Sequence, residues 1–486
     1  MRSPLSTLDE IWQCQSHKSK LKYLFSNLIQ QCEQFSATAR LFLACSGGMD
    51  SMLLLYLLAT LKHQHHIAQP IHVVYIDHQL QAQSSVWGEL VQTHCQQLDL
   101  FCKIIAVDVQ AGNLENQARQ ARYQALQQQL QPNDVLILAH HQQDQAETVL
   151  LRLLQGTGVQ GLSAMKIVEQ RTLTHLDHAT LSLEIPHHYF LWRPLLETAK
   201  SDIEALMDTF QIQYADDPMN HSLDYDRVWC RESLFPLLEQ RFGKMQDSLT
   251  RCAKIMQDSQ SILYEVLQQD IAQCVQQIQN DSVVMYIDLN LFRCLSAARQ
   301  RQLLVWFLQA EQQYKAPMHI LNHLQNDVIQ AKIDAESQLH YAGHYFLRYD
   351  DKLYRYTAEA WQNWQNTPVD YQMSLNLAQV IHSQFGQFKV VLQADDEFGL
   401  SLDLFTKELD FMARQGGEKI AFLHRPHRQV LKKYLQQHKV TPWQRKHVQC
   451  VQYNATILGV LTPSGFDLAQ SDYIVQGGWT LARVSQ

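Results

Sequence analysis

At 486 residues, 46% of them hydrophobic and 18% charged, the chain has room for roughly three globular domains of about 150 residues each. Its longest apolar run, Met52–Ala59, falls far short of the ~20 residues a membrane span needs. Asp9 and Glu10 stand where a signal peptide would be apolar, so a cytoplasmic address with no membrane partner is expected. The net charge of −8 excludes a uniformly cationic nucleic-acid binder but leaves room for a local basic patch.

From about residue 41 to 155, short apolar runs alternate with helical periodicity. LFLAC (41–45), IHVVYI (71–76), FCKIIAV (101–107) and DVLILA (134–139) read as buried parallel strands, and 49–62, 84–98 and 113–130 as the helices between them. This alternation predicts an α/β fold with a doubly wound parallel sheet, whose ligands bind beyond the carboxyl ends of the strands. Between roughly 245 and 330 the pattern changes to long Gln-rich amphipathic segments, a small helical domain. From about 338 strand patterns return, and the last 120 residues mix strands with short basic helices, a C-terminal α+β domain. The expected division is 1–235, 236–350 and 370–486.

The first strand ends in SGGMDS (46–51). Gly47 and Gly48 have no Cβ to keep an anion from their amides, Ser46 and Ser51 add hydroxyls, and a helix starting near Met49 aims its positive end at the same point. Phosphate is the expected ligand. The Walker A lysine is absent. In its place stands Asp50, a carboxylate that repels phosphate unless Mg²⁺ bridges the two, which makes it the metal-ligand candidate. The loop resembles the PP-loop signature of the N-type ATP pyrophosphatases, which cleave ATP to AMP and pyrophosphate while activating a carbonyl as an adenylate.

A second constellation, ILAHHQQDQAETVLLRLLQGTGVQGLSAM (137–165), again runs from strand to helix. His141, Asp144 and Thr148 share one helical face by their i, i+3, i+7 spacing, with Glu147 one turn past Asp144. A face of one His and two carboxylates suits an amine or a metal; a solvated helix surface has the same spacing. Arg119 and Arg122, spaced i, i+3, either meet an anion or pair with Glu115 along their helix. The ten cysteines contain no C-x-x-C pair, so they read as reduced thiols, and the His-rich 61–72 reads as a polar loop with no acid or Cys to complete a metal site.

Taken together, SGGMDS, DHQLQAQS (77–84), GNLENQARQARY (112–123), AHHQQDQAETVLLRL (139–153), GTGVQGLSAM (156–165), WRPLL (192–196) and YADDPMNHSLDYDRVWCR (214–231) resemble the tRNA(Ile)-lysidine synthetase family in order and spacing. ARQGGEKI (413–420) and LKKYLQQHKVTPWQRKHV (431–448) resemble that family's C-terminal tRNA-binding domain. One position departs: the family usually has Arg-Asn where this chain has Arg227 and Val228, with Arg231 following.

The resemblance implies a ligase that joins free L-lysine to C2 of the wobble cytidine of a CAU-anticodon isoleucine tRNA, through an adenylated cytidine, with ATP and Mg²⁺ as cofactors. It implies that Ser46, Gly47, Gly48, Met49, Asp50, Ser51 and Arg119 bind ATP. Asp50, Asp144, His141 and Glu147 carry the catalysis: Asp144 and Glu147 hold the lysine ammonium, and His141 accepts its proton. Arg122 and Arg193, with Asp144 and Glu147, face lysine or the adenylate. Arg227, Arg231, Arg414, Arg428, Lys432, Lys433 and Arg445 contact tRNA. Between 411 and 447 nine Lys or Arg stand against one acid, a net of +8 in a chain of net −8, which is a footprint for phosphate backbone. Trp443 and Tyr434 there are expected to pack rather than stack on bases. The oligomeric state is left open, a homodimer included. The rival readings are a PP-loop tRNA thiolase, which needs cysteines in a pattern this chain lacks, and a non-catalytic tRNA-binding protein.

Overall fold

Leu41 and Leu43 of β1 (Leu41–Ala44) point into one hydrophobic core and Phe42 into another, as alternation along a strand covered on both faces requires. β1 is central in a six-stranded sheet in the computed structural model, which describes residues 4–14, 17–79, 81, 83–108, 114–173, 188–277, 285–310, 315–331, 337–366, 368–423, 425 and 427–484. Leu80, Ala82, Gly112 and Asn113 of the quoted motifs, and the Glu115 side chain, lie outside this description.

Two helices, α1 (Pro4–Gln13) and α2 (Lys18–Cys32), precede β1. There follow α3 (Met49–His63), β2 (Ile71–Asp77), α4 (Ser84–Gln97), β3 (Phe101–Ala106), α5 (Leu114–Gln127), β4 (Val135–Ile137), α6 (Gln142–Leu154), α7 (Val159–Leu162), β5 (Val168–Thr172), β6 (His188–Trp192) and α8 (Lys200–Phe210). The sheet order is β3-β2-β1-β4-β6-β5, parallel except for the β5–β6 pair. The doubly wound expectation holds, with an antiparallel edge added. FCKIIAV was expected to be buried; β3 is instead the opposite edge strand, with Phe101 60% exposed, because strand order leaves it β2 as its sole neighbour. The order reverses between β1 and β4, the point at which sheets of this kind open a crevice at the strand ends. Into that crevice lead the loop after β1, which is the glycine loop, and the loop after β4, which carries His140 and His141.

By chain contacts the molecule divides into Met1–Leu263 and Tyr264–Gln486. The first unit holds the sheet just described. In the second, the helical stretch includes Ala297–Gln309, whose Leu303, Leu304, Phe307 and Leu308 are buried. It also contributes the short strands Val275–Gln277 and Met285–Asp288 to a five-stranded antiparallel sheet with Gln338–Tyr341, His344–Tyr349 and Lys352–Thr357. Strands of three and four residues carry too little periodicity to stand out beside long helices. The last part contains two five-stranded antiparallel sheets that share one core, with Trp361, Phe388, Phe411, Trp443 and Trp479 buried in it. Tyr434 and Trp443 are both packing residues: Tyr434 is buried, and Trp443 Nε1 donates to the Tyr356 hydroxyl at 3.0 Å.

Candidate active site

Gly47 adopts φ +80°, the left-handed region that an L side chain enters at a cost, and Gly48 at φ −72°, ψ 163° is the N-cap of α3. No side chain caps that helix, so its first amides remain available to a ligand. Ser51 Oγ donates to the Gly48 carbonyl at 2.9 Å and lies 3.3 Å from Ser46 Oγ, while Gly48 N–H reaches Ser46 Oγ at 3.4 Å. Ala215 N–H donates to the Gly47 carbonyl at 2.9 Å, so the segment after α8 closes over the loop.

Asp50 sits in the first turn of α3 with a lysine and a histidine beside it. Lys200 Nζ donates to its Oδ1 at 2.7 Å, and His141 Nε2 lies 3.7 Å from its Oδ2. His141 is not on the helical face that its spacing suggested. Its backbone is extended (φ −125°, ψ −176°), so it caps α6, and its N–H donates to Asp144 Oδ2 at 2.9 Å. The ring turns back between the two acids, with Nε2 3.5 Å from Asp144 Oδ2. Burial opposes ionisation of Asp144, but His141, His140 and Arg227 outweigh it and hold the carboxyl below its usual range.

Glu147 does not present an open carboxylate. It is fully buried, and Arg231 Nε donates to its Oε1 at 3.0 Å. Burial still raises its pKa despite Arg231. Arg227 Nη2 approaches Thr148 Oγ1 at 3.5 Å. The sequence from 226 to 231 thus places two arginines on the α6 face, and Val228, where the family usually has Asn, is buried.

Around His140 and Asp144 gathers positive charge. Burial, with Arg193, Arg122 and Arg119 nearby, pushes the His140 imidazole down to about 3. Arg119 and Arg122 lie 5.2 Å and 5.8 Å from the Tyr123 ring centroid, and Arg122 Nε, the Tyr123 hydroxyl and His140 Nδ1 are buried without a hydrogen-bond partner. Unsatisfied buried donors of this kind are costly unless a ligand completes them. Arg193 Nη1 donates to the Lys166 carbonyl at 2.8 Å and faces Glu169 at 3.3 Å, while its Nε is likewise buried without a hydrogen-bond partner.

Sequence reasoning missed Lys200 and His140. Lys200 had a signal, because a cation in the first turn of a helix opposes the macrodipole and calls for a reason. Among the described residues no three His, Cys, Asp or Glu side chains form a metal cluster. A cation at Asp50 would therefore take its remaining ligands from phosphate and water, the usual way Mg²⁺ binds beside a nucleotide, and one carboxylate next to a loop of free amides fits that role.

In the second unit Arg414, Lys432, Arg445 and Lys446 line a groove of about 660 Å³ with Gln365, Asn366 and Asp370. Arg445 donates to the Val440 carbonyl at 2.8 Å and stacks 5.4 Å from the Tyr349 ring, while Lys432 is exposed. Arg428 and Lys433 are exposed but do not line the groove.

A glycine loop at the switch point of a doubly wound sheet, facing a His-Asp helix start, defines a nucleotide-binding α/β protein of the PP-loop class, and residues 16–238 match the PP-loop domain family. Residues 288–354 match the TilS substrate binding domain and 409–463 the TilS substrate C-terminal domain. The chain is 41% identical over 484 residues to the tRNA(Ile)-lysidine synthase of Acinetobacter baylyi, covering 99% of this chain and 96% of that one. It is 30% identical to the enzyme of that name from Alkalilimnicola ehrlichii, over 86% of this chain and 88% of that one, and 28% identical to that from Proteus mirabilis, over 88% and 92%. The chain belongs to the tRNA(Ile)-lysidine synthase family. No helix among the described residues is long and apolar enough to cross a membrane.

Proposed function

We propose that the protein ligates free L-lysine to C2 of the wobble cytidine in a CAU-anticodon tRNA(Ile), consuming ATP and releasing AMP and pyrophosphate. The observation that carries this reading is the convergence of Asp50, His141 and Asp144 at the glycine loop, in a chain that matches named family members over nearly its whole length.

The cytidine C2 oxygen attacks the α-phosphorus of ATP and pyrophosphate leaves; the ε-amine of lysine then attacks C2 and AMP leaves. Ser46, Gly47, Gly48, Met49 and Ser51 hold the polyphosphate through amides and hydroxyls. Asp50 would hold Mg²⁺, which would supply charge neutralisation where pyrophosphate departs. Arg119 and Arg122, with their unsatisfied neighbours, hold the adenylate or the lysine carboxylate.

Lysine arrives as an ammonium, its free pKa being about 10.4, so it needs an acid to hold it and a base to take a proton. Asp144, ionised and only partly buried, holds the ammonium, and His141 beside it takes the proton. Glu147, already paired, orients Arg231 toward substrate. Arg227 and Arg231 in the first unit, and Arg414, Arg428, Lys432, Lys433 and Arg445 in the second, contact tRNA. In this reading residues 1–235 catalyse, 236–350 bind substrate tRNA and 370–486 add the basic tRNA-binding surface, all in the cytoplasm.

The test is pyrophosphate release and radiolabelled lysine incorporation with the CAU-anticodon isoleucine tRNA, with and without lysine, against Asp50→Ala. Lysine-dependent labelling that disappears in the variant supports the reading. Turnover that ignores lysine and requires a sulfur donor would make the protein a tRNA thiolase instead.

A further inference from the structure

The turn between α7 and β5 is held by side chains. Ala164 there adopts φ +50°, the left-handed region that a residue with a Cβ enters at a cost. Arg152 Nη1, from α6, reaches the Gly161 and Ala164 carbonyls at 2.9 Å and 3.4 Å. Gln145, also on α6 and buried, takes both polar backbone groups of Met165: Nε2 donates to the carbonyl at 2.7 Å and Oε1 accepts from the N–H at 3.0 Å. A further holder comes from much later in the chain. Gln257, in the helix Met245–Cys274, donates from Nε2 to the Ser163 carbonyl at 2.8 Å and to the Met165 carbonyl at 2.9 Å. An amide nitrogen has two hydrogens, and here each meets one carbonyl. The same helix also reaches the start of α6, where Gln142 Nε2 donates to Asp247 Oδ1 at 2.8 Å, and its Met245 and Leu249 pack with Ala146. Gln257 belongs to none of the quoted motifs.

We propose that Gln257 is a positioning residue for the lysine-transfer step, fixing the Ser163–Met165 turn so that α6 presents Asp144 to the lysine ammonium. The inference rests on the lysine-ligating function proposed above. Gln257 acts through Gln145 rather than on substrate. Gln145 follows Asp144 directly, and its two bonds to Met165 tie the start of α6 to the turn; Gln257 shares the Met165 carbonyl and so sets where that tie sits. A strained backbone persists only where its surroundings over-determine it, and such places cluster at functional sites. Without Gln257 the Ser163 carbonyl loses its donor, Ala164 relaxes, and Met165 carries Gln145 with it. The glycine loop stands apart from this path. It is held by Ser46, Ser51 and Ala215, so activation of the cytidine by ATP keeps its geometry.

The test compares wild type with Gln257→Met, which keeps the length and loses both donors, and Gln257→Lys, which restores a donor on an unbranched stem. Steady-state lysine incorporation into the CAU-anticodon tRNA gives KM for lysine, and the single burst of pyrophosphate release from ATP and tRNA without lysine gives the rate of activation. Gln257→Met is expected to raise KM for lysine about tenfold and to leave the burst rate within roughly twofold of wild type, with Gln257→Lys recovering most of the loss. A KM for lysine equal to wild type overturns the proposal. So does a parallel loss of lysine use and burst rate, which a merely structural glutamine would produce by loosening the whole domain. Should Gln257→Met fail to fold, Gln257→Asn, one methylene too short to reach both carbonyls, carries the same comparison. Wild-type protein that incorporates no lysine into this tRNA overturns the parent function instead, so the two failures are distinct.

Discussion

Arg231 Nε donates to Glu147 Oε1 at 3.0 Å, joining a carboxylate with no exposure to a guanidinium that is one-third exposed. Such a pair contributes little by existing, because desolvation of the acid offsets the attraction, but removing one partner strands a buried charge. Arg231→Met is expected to destabilise the protein by about 3 kcal/mol at neutral pH.

The pH dependence of that loss is fixed in sign. Burial raises the folded pKa of Glu147 above its unfolded value, so its contribution is most favourable below the unfolded pKa and is lost as pH rises through the folded one. Without Arg231 the carboxyl rises further, and the variant's deficit shrinks as the solution is acidified. Urea unfolding of both proteins at neutral pH and near pH 5 measures this; a deficit independent of pH would show that Glu147 is not a stranded acid.

Gly47→Ala separates backbone strain from steric exclusion. A Cβ at this position would meet Val91 Cγ2 at 3.5 Å and the Trp87 carbonyl at 3.6 Å, ordinary contacts, whereas φ +80° is costly for any L residue. The expected loss of stability is about 1–2 kcal/mol. ATP affinity should fall further, since the loop relaxes toward a backbone that turns its amides away from the anion. Equal melting temperatures for variant and wild type would contradict the assigned backbone conformation.

The glycine loop was legible because all its determinants are local: a four-residue apolar strand, two residues without Cβ and a helix buried on every side follow one another in the chain. His141 was legible as a residue but not as a position, since helical spacing assumes helical backbone and His141 is extended. Lys200 was illegible because its partner is 150 residues away, and only the packing of α8 on α3 joins them. β3 has the apolar content of an inner strand, and strand order alone, a non-local property, makes it an edge. Local chemistry is written in the sequence directly; neighbours supplied by topology are not.

His140 gives a second pH test. Its imidazole is pushed from 6.5 to about 3, mainly by burial and further by nearby arginines. Because the folded value lies below the unfolded one, the unfolded chain takes up a proton that the native protein refuses as pH falls below 6.5. Stability present above that pH is lost on acidification at a limiting rate of about 1.4 kcal/mol per unit. His140→Gln removes this linkage, so its stability should decline less steeply than wild type between pH 7 and 5, by on the order of 2 kcal/mol. Parallel curves would mean that His140 is protonated freely in the folded state.

The basic groove makes a prediction about salt rather than specificity. Lys432 and Lys446 are exposed at its edge, while Leu431, Tyr434 and Leu435 of the same helix as Lys432 face the core, so either lysine can be truncated without touching packing. If both ammonium groups meet tRNA phosphates, each releases counterions on binding. Lys432→Ala with Lys446→Ala should then weaken tRNA binding and flatten the plot of log Kd against log salt by roughly one to two units of slope. Turnover at saturating tRNA should be unchanged, since the lysines position the backbone and carry no chemistry. Filter binding across a salt series measures both quantities. An unchanged slope would mean that the tRNA backbone does not follow this groove, leaving Arg428 and Lys433, which lie outside it, as the next residues to truncate.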